Sequence, residues 1–237
     1  MRKIVVLTGA GMSAESGINT FRGAGGLWEG HDVMEVASPE GWDANRELVL
    51  DFYNQRRRQL LDVRPNPGHV ALKLLEAKFE VHIVTQNVDD LHERAGSANI
   101  LHLHGELLKA RSTEYPELTY HWPGDLNPGD LCDRGAQLRP DIVWFGEAVP
   151  ALERAAVLVY DADIAIIIGT SMQVYPAAGL IGYAQQDCDV YYIDPQPSVN
   201  HELTNRPGLT IIPENAGTGV PELVSKLLDD AYTRGNS

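Results

Sequence analysis

The chain has 237 residues, of which 43% are hydrophobic and 22% are charged, as is ordinary for one globular domain with a substantial core. Its 33 acidic residues against 19 basic ones give a net charge of −14, which argues against nucleic acid and membranes as partners, because both bind basic surfaces. No apolar run reaches membrane-spanning length, and the first predicted strand already begins at Lys3. We therefore expect no signal or transit peptide and a cytoplasmic protein.

Six apolar runs predict strands, at residues 3–8, 80–85, 100–103, 163–168, 189–193 and 209–212. Several of them are continuous rather than alternating, as expected for strands that are covered on both faces. Helical patterns lie between them, at residues 45–61, 67–78, 151–160, 177–185 and 220–231. This alternation predicts an α/β fold with a doubly wound, Rossmann-like parallel sheet.

The first predicted strand runs directly into Gly-Ala-Gly at residues 9–11, followed by small and hydroxyl residues. Gly9 and Gly11 allow the backbone to turn tightly and to approach a pyrophosphate. Free N–H groups at the start of the following helix can then bind the anion. The pattern differs from the usual G-x-G-x-x-G, and a tight strand-to-helix turn also occurs for packing alone. These residues by themselves favour nucleotide binding without requiring it.

Polar residues also follow three later strands, at residues 86–90, 104–106 and 169–171. In an open α/β sheet the carboxyl ends of the strands line the ligand crevice. We therefore expect one cavity to be faced by Gly9, Asn87, Asp89, His104 and Ser171.

In order along the chain, these segments resemble the motif set of the sirtuins, which are NAD-dependent protein-lysine deacylases. The resemblance is carried by residues 9–13, 16–18 and 21–22, then 85–89, 104–106, 143–147 and 169–171. It extends from residue 3 to about residue 195. It implies an NAD-binding part made of residues 1–22, 70–109 and 140–237. It also implies a smaller inserted subdomain made of residues 23–69 and 110–139, with the active site between the two parts.

The resemblance also implies which residues contact NAD. Arg22 is suited to phosphate because its guanidinium is a planar, permanently charged donor. Phe21 would shield the nicotinamide ribose, and Asp89, with the backbone near Ile18, would hold the nicotinamide carboxamide. Many sirtuins carry Asn in place of Asp194, whose carboxylate can accept from ribose hydroxyls. The full expected set is Gly9, Ala10, Gly11, Ser13, Ile18, Phe21, Arg22, Gln86, Asn87, Asp89, His104, Gly169, Thr170, Ser171, Asp194 and Ala216.

His104 is the candidate general base, because histidine titrates near neutrality. His102 lies two residues earlier and would share its face of a strand, so spacing alone does not choose between them. The His-Gly-Glu motif of the family selects His104, and Asn87 is the second expected catalytic residue. In the implied reaction the acyl-lysine oxygen attacks C1′ of the nicotinamide ribose. Nicotinamide leaves, and the products are free lysine and O-acyl-ADP-ribose, so NAD is consumed.

The resemblance assigns residues 143–147 to the acylated lysine segment of the substrate. Val143, Phe145 and Gly146 would line this site, and the segment would offer an edge for β-strand addition. The alternative interpretation is an ordinary buried strand.

Tyr53 and Arg56 lie three residues apart on a predicted helix and hence on one face. They look like the Tyr-x-x-Arg signature of sirtuins that accept succinyl- or malonyl-lysine. A guanidinium pairs bidentately with a carboxylate, and a phenol adds a hydrogen bond. The alternative is a helix with a solvated basic face, because Arg57 and Arg58 follow directly.

Most sirtuins hold a structural zinc with two Cys-x-x-Cys pairs, which lie between the motifs that match residues 104–106 and 143–147 here. In that interval this chain has only Cys132. A mixed site with His121 is conceivable, but the paired spacing is absent, so we expect no zinc. We expect residues 110–140 to be ordered by packing instead, through Tyr115, Tyr120 and Trp122. Cys188 is the one other cysteine; a disulfide is possible, but reduced thiols are the default.

The leading interpretation is an NAD-dependent deacylase that removes succinyl, malonyl and also acetyl groups from protein lysines. An NAD glycohydrolase or a protein ADP-ribosyltransferase on the same scaffold is the first alternative. A non-catalytic NAD-binding module is the second. His104 and the complete motif at residues 143–146 favour deacylation, and the presence of both His104 and Asn87 argues against a non-catalytic module.

Overall fold

A parallel sheet of six strands is the centre of the computed structural model, which describes residues 1–18 and 27–235. In chain order the strands are β1 (Lys3–Thr8), β2 (Leu27–Trp28), β3 (His31–Asp32), β4 (Glu80–Thr85), β5 (Ile100–His102), β6 (Gly105–Ser112), β7 (Thr119–His121), β8 (Leu138–Ile142), β9 (Ile164–Ile168), β10 (Asp189–Ile193) and β11 (Leu209–Ile212). The α-helices are α1 (Val33–Val36), α2 (Pro39–Ala44), α3 (Arg46–Asp62), α4 (Pro67–Leu75), α5 (Leu91–Arg94), α6 (Leu152–Tyr160) and α7 (Ala216–Gly235), and 3-10 helices span Ala10–Met12, Ala14–Ser16 and Ala177–Tyr183.

The large sheet has the strand order β11-β10-β9-β1-β4-β5 and is parallel throughout. All six strands predicted from the apolar runs are confirmed to within one residue at either end. Thr8 at the end of β1 is in register with Thr85 on β4 and with Ile168 on β9. The carboxyl ends of these three central strands are therefore level, and the loops that follow them begin side by side.

Both faces of this sheet are covered, which confirms the doubly wound α/β fold. Ile4 and Val6 of β1 belong to the core beneath α4 and α7. Val5 and Leu7 point to the opposite core, beneath α6 and the 3-10 helix at Ala177–Tyr183. Neighbouring side chains of a strand lie on opposite faces, so a continuous apolar run supplies both cores at once.

Helix α7 begins four residues before the predicted start at residue 220. Its first turn contains two glycines, which have poor helix propensity, so the sequence pattern begins only at Val220. The turn is stabilised from far along the chain, because the N–H of Gly217 donates to Glu15 Oε2 at 2.6 Å. The segment predicted as a helix at 177–185 is a 3-10 helix instead.

A second core lies beside the large sheet. It is formed by α1, α2 and α3 together with the antiparallel sheet β7-β6-β8. Tyr115, Tyr120 and Trp122 pack against this core, as predicted. Strand β6 crosses the predicted boundary between residues 109 and 110, and strand β8 crosses the one between residues 139 and 140. The division into an NAD-binding part and a smaller subdomain stays a prediction.

Helix α3 is joined to this smaller sheet by a buried polar clamp. The fully buried Arg57 donates from Nε to the carbonyl of Leu107 on β6 at 2.9 Å and from Nη1 to Asn54 Oδ1 at 2.8 Å. Asn54 also donates from Nδ2 to the carbonyl of Leu126 at 3.0 Å and accepts from the N–H of Leu126 at 2.9 Å. The interpretation of this helix as a solvated basic face is therefore wrong at Arg57, whose charge is buried by its neighbours.

Cys132 and Cys188 are both buried and free. Within residues 1–18 and 27–235, no group of three or more His, Cys, Asp and Glu side chains could hold a metal ion. The absence of zinc stays a prediction. None of the described helices is both long and apolar enough to cross a membrane.

We expect Asn54→Ala to lower the free energy of unfolding by about 3 kcal/mol, because it leaves Arg57 Nη1 and both backbone groups of Leu126 without their partner. Urea unfolding measures this change. The matched control is Gln55→Ala at the next, exposed position of α3, where a change within about 0.5 kcal/mol is expected. If both variants lowered the free energy of unfolding equally, the buried polar clamp would contribute nothing specific to stability.

Candidate active site

The two loops after β1 and β9 are packed backbone to backbone. The N–H of Gly9 donates to the carbonyl of Ile168 at 3.0 Å, and the N–H of Gly11 donates to the carbonyl of Gly169 at 2.8 Å. A Cβ on Gly11 would lie 2.6 Å from Cα of Gly169, and a Cβ on Gly169, whose φ is +60°, would lie 2.3 Å from the nitrogen of Met12. Any side chain at either position would push the loops apart.

This packing corrects one expectation about the glycine turn. The helix expected after it is reduced to the 3-10 turns Ala10–Met12 and Ala14–Ser16. The N–H groups of Gly9 and Gly11 are already bonded to the neighbouring loop, so they are not free donors for an anion. Contacts of residues 9–13 with NAD stay a prediction.

Three of the predicted site residues meet in one buried network. Asn87 donates from Nδ2 to Ser13 Oγ at 3.1 Å, and Ser13 Oγ donates to Asp89 Oδ2 at 2.9 Å. Burial raises the pKa of Asp89 and outweighs the hydrogen bonds from Ser13 and the Leu91 N–H, which lower it. The glycine turn and the loop after β4 are thus linked through side chains as well as through the sheet.

His102 and His104 occupy different environments. His102 interacts through Nδ1 with the carbonyl of Asn87 at 3.1 Å and through Nε2 with Glu93 Oε1 at 2.7 Å. His104 lies beyond the end of β5 and bonds through Nδ1 to the carbonyl of Gln86 at 3.0 Å. In the described part of the chain no hydrogen bond reaches its Nε2. His104 therefore has a ring nitrogen available for chemistry, and His102 does not.

The same contacts move the two pKa values in opposite directions. Burial lowers the pKa of His104, and the hydrogen bond to Gln86 offsets this only in part. Burial also lowers the pKa of His102, but the hydrogen bond and charge of Glu93 outweigh it, so the pKa of His102 is raised. Near neutral pH, His104 is the ring suited to accept a proton.

The remaining predicted NAD residues differ in how closely they approach this network. Gln86 bonds outside it, because its Nε2 donates to Thr170 Oγ1 at 3.2 Å and so links the loop after β4 to the loop after β9. Asp194 follows β10, accepts from the Gln196 N–H at 2.8 Å, and has its pKa raised by burial. Ser171 is exposed to solvent in the loop after β9. The side chain of Ala216 lies in the core with Met12, so it offers at most its backbone. Phe21 and Arg22 lie outside the described residues.

The segment at residues 143–147 is a loop that follows β8, so the interpretation as a buried strand is wrong. The N–H of Val143 donates to the carbonyl of His104 at 2.9 Å, and the N–H of Phe145 donates to the carbonyl of Ala37 at 2.9 Å. The side chain of Phe145 is 40% exposed. The loop therefore ties the catalytic candidate His104 to the smaller core and presents an apolar side chain at the surface.

Glu147 holds this loop in shape. Its carboxylate accepts from the N–H of Trp144 at 2.8 Å, from Arg139 Nη1 at 2.7 Å and from Arg111 Nη2 at 3.2 Å. Burial raises the pKa of Glu147, but these hydrogen bonds outweigh it and leave that pKa below its ordinary value. The guanidinium carbon of Arg139 lies 3.3 Å from the centre of the Trp144 ring. Arg139 and Glu147 were not identified from the sequence as site residues, because only the fold brings β8 beneath the loop.

Tyr53 contacts the same loop, and Arg56 lies one helical turn further along α3. Trp144 Nε1 donates to the hydroxyl of the fully buried Tyr53 at 3.0 Å. Arg56 is half-buried, with its guanidinium carbon 4.9 Å from the centre of the Phe52 ring. Its Nε is buried without a hydrogen-bond partner, and no described carboxylate pairs with it. Arg58, by contrast, is exposed and forms an ion pair with Asp125.

A pair of buried histidines lies behind the site. The rings of His69 and His92 have centroids 4.8 Å apart, and His92 Nε2 lies 3.2 Å from Thr8 Oγ1. Thr8 Oγ1 donates in turn to Thr85 Oγ1 at 2.8 Å. Burial lowers the pKa of His69 to about 4 and also lowers the pKa of His92. Sequence reasoning missed both, because His69 lies on an otherwise apolar helix and His92 is followed directly by charged residues, and neither setting marks a buried pair.

Comparisons with known proteins point to one family. The model of the Sir2 family matches residues 9–176. The chain is 59% identical over 231 residues to an NAD-dependent protein deacylase of Helicobacter pylori strain J99, covering 98% of this chain and 97% of that protein. It is 53% identical over 235 residues to an NAD-dependent protein deacylase of Bacteroides thetaiotaomicron, covering 96% and 99%. It also resembles the crystal structure of a Sir2 homologue–NAD complex, with a TM-score of 0.86 and 38% identity over 97% of this chain and 90% of that one.

The buried histidine pair predicts a loss of stability in acid. In the unfolded chain a histidine binds a proton as pH falls through about 6.5, whereas folded His69 resists protonation until about pH 4, so the unfolded state takes up more protons in that window. We expect His69 to contribute a loss of about 2 kcal/mol between about pH 7 and pH 5.

Urea unfolding at each pH measures this. His69→Gln should flatten the pH dependence, whatever its stability near neutral pH. His201→Gln, at an exposed position, should run parallel to the wild type. If the free energy of unfolding of His69→Gln varied with pH as steeply as that of the wild type, the assignment of the acid loss to His69 would be contradicted.

Proposed function

Because the chain belongs to the Sir2 family and is an NAD-dependent protein deacylase, we propose that it removes succinyl and malonyl groups, and also acetyl groups, from protein lysines. NAD is a substrate of this reaction and is consumed, and the products are nicotinamide and O-acyl-ADP-ribose. The observation that carries the acyl preference is the half-buried Arg56, whose Nε has no partner and whose charge no described carboxylate neutralises. The cytoplasmic location and the absence of zinc stay predictions.

We assign the nicotinamide end of NAD to the network of Ser13, Asn87 and Asp89. These side chains are buried together, and the Ser13 hydroxyl joins the other two by accepting from Asn87 and donating to Asp89. A primary amide both donates and accepts, so a carboxamide suits a pocket that contains a carboxylate, a hydroxyl and an amide. The packed loops at Gly9 and Gly169 suit the pyrophosphate side, because side chains are excluded from that approach.

His104 acts in this proposal as the general base on a ribose hydroxyl. The bond from Nδ1 to the carbonyl of Gln86 requires a proton on Nδ1, because a carbonyl only accepts. The neutral ring then carries its lone pair on Nε2, where no described residue binds it. The pKa lowered by burial keeps the ring neutral near neutral pH. Asn87 orients the ribose through its side-chain amide, which donates to Ser13 Oγ, while its backbone N–H is fixed by Thr85 Oγ1.

The acylated lysine approaches in this proposal along the loop of Val143, Phe145 and Gly146. This loop is joined to the backbone of His104 on one side and to Tyr53 on the other. An acyl chain that passes the loop from the base would therefore reach Tyr53 and Arg56 with its distal end. A terminal carboxylate there meets a guanidinium in a water-poor setting, where such a pair is stronger than at the surface.

We expect His104→Ala to lower kcat/KM by about 10²- to 10⁴-fold, the usual contribution of a general base. In the wild type, kcat/KM should fall with decreasing pH as the His104 ring gains a proton, at a pH below the ordinary histidine value of about 6.5. Formation of the deacylated peptide from NAD and an acyl-peptide, followed by mass spectrometry across pH, measures both effects.

The matched control is His102→Gln. This variant loses the contacts to Asn87 and Glu93 and should lower kcat/KM. The pH at which kcat/KM falls on the acid side of the profile (the acid limb) should stay unchanged. Loss of the acid limb in His102→Gln, or full activity in His104→Ala, would reverse the assignment of the base.

For the acyl preference, we expect Arg56→Met and Tyr53→Phe each to lower kcat/KM for a succinyl-lysine peptide by about 10- to 150-fold, the value of a hydrogen bond to a charged group. For the same peptide carrying butyryl-lysine, which has the same acyl chain length without the carboxylate, kcat/KM should change by less than about threefold. The butyryl group makes no such bond. Mass spectrometry of product formation with NAD measures both.

Arg58→Met is the control for lost positive charge on α3, because Arg58 is exposed and pairs with Asp125. It should leave the ratio of the two substrates unchanged. An unchanged ratio in Arg56→Met would sink the acidic-acyl proposal and leave the deacylase activity standing.

A further inference from the structure

We infer that Trp144 is a positioning residue for acyl selectivity, because its indole N–H fixes the direction in which the Tyr53 hydroxyl donates its proton. This inference rests on the proposed preference for acidic acyl groups and adds a residue to it. Trp144 itself does not touch the acyl group in this scheme.

The argument begins with the hydrogen bond from Trp144 Nε1 to the Tyr53 hydroxyl, at 3.0 Å between two buried side chains. An indole N–H only donates, so the phenol oxygen must accept. The hydroxyl proton then points away from Trp144, and no described residue accepts it. The Tyr53 proton is therefore left to donate to a ligand.

This direction matters for a carboxylate, which only accepts when it is ionised. If the indole N–H were absent, the phenol could rotate and present its lone pairs to the ligand, and a lone pair repels a carboxylate. The bond from Trp144 removes that rotamer in advance, so the donor is already oriented before the acyl group arrives. Burial also raises the pKa of Tyr53, so the donor stays protonated.

Trp144 is itself held rigidly enough to impose this direction. One face of its ring is covered by the Arg139 guanidinium, and its backbone N–H donates to Glu147. The ring of Trp42 lies 5.6 Å away, centre to centre. A phenyl ring at residue 144 would keep an aromatic face for Arg139 and the backbone bond, but it would lose the N–H together with the smaller ring of the indole. The butyryl-lysine peptide reports any effect of that lost volume, because it makes no use of the Tyr53 proton.

The experiment is a double-mutant cycle of Trp144→Phe and Tyr53→Phe, with kcat/KM measured for succinyl-lysine and butyryl-lysine versions of one peptide. We expect Trp144→Phe to lower the succinyl-to-butyryl ratio by about tenfold, the scale of one hydrogen bond to a charged group. The double variant should have the ratio of Tyr53→Phe alone, because Trp144 acts only through that hydroxyl. Trp42→Phe is the control for altered packing in the same core and should keep the wild-type ratio.

The outcomes separate the inference from the proposal beneath it. If Trp144→Phe lowered kcat/KM equally for both substrates, the positioning role would be overturned. It would also be overturned if the effects of the two single variants on the succinyl-to-butyryl ratio multiplied in the double variant. A changed ratio in Tyr53→Phe with none in Trp144→Phe would overturn the inference and leave the acidic-acyl preference intact. An unchanged ratio in Tyr53→Phe would overturn both.

Discussion

The contact between the loops after β1 and β9 is the constraint on which the rest of the site depends. Gly11 and Gly169 pack with no room for a Cβ on either, and the N–H of Gly11 is bonded to the carbonyl of Gly169. This contact levels the two loops with the end of β4. Ser13 then reaches Asn87, and Gln86 reaches Thr170. A single added methyl group at Gly11 or Gly169 would therefore disturb both hydrogen bonds together.

The loop at residues 143–147 is the second point of dependence, because it joins the two cores of the molecule. Its first residue is bonded to the backbone of His104, and the side chain of its second residue is bonded to Tyr53. Glu147 and Arg139 fix its shape from below. The loop is thus bonded both to His104, the proposed base, and to Tyr53, a proposed acyl-selective residue, and it sets the distance between them. In the proposed function, this loop would therefore govern selection by both the length and the charge of the acyl group.

The strands and the residues at their carboxyl ends were predictable because they depend on local patterns. Continuous apolar runs mark strands that are covered on both faces, and Asn87, Asp89 and His104 follow such runs directly. The early start of α7 was not predictable, because the cap comes from Glu15, about two hundred residues away in the chain. Arg57 was misjudged for the same reason. Its burial depends on the carbonyl of Leu107 and on Asn54, and three successive arginines carry no sign of which one turns inward.

The sequence by itself determined the parallel α/β sheet, the family and the set of polar residues at the strand ends, since each follows from periodicity or from an ordered motif. The tertiary structure alone decided which histidine has a free ring nitrogen. It also decided that residues 143–147 form a loop and that Trp144 bonds to Tyr53. These outcomes depend on hydrogen bonds between segments far apart in the chain, such as the 91 positions that separate Tyr53 from Trp144. A hydrogen bond requires its two heavy atoms to lie about 3 Å apart, to within a few tenths of an ångström, and no pattern along one strand or helix encodes such a distance.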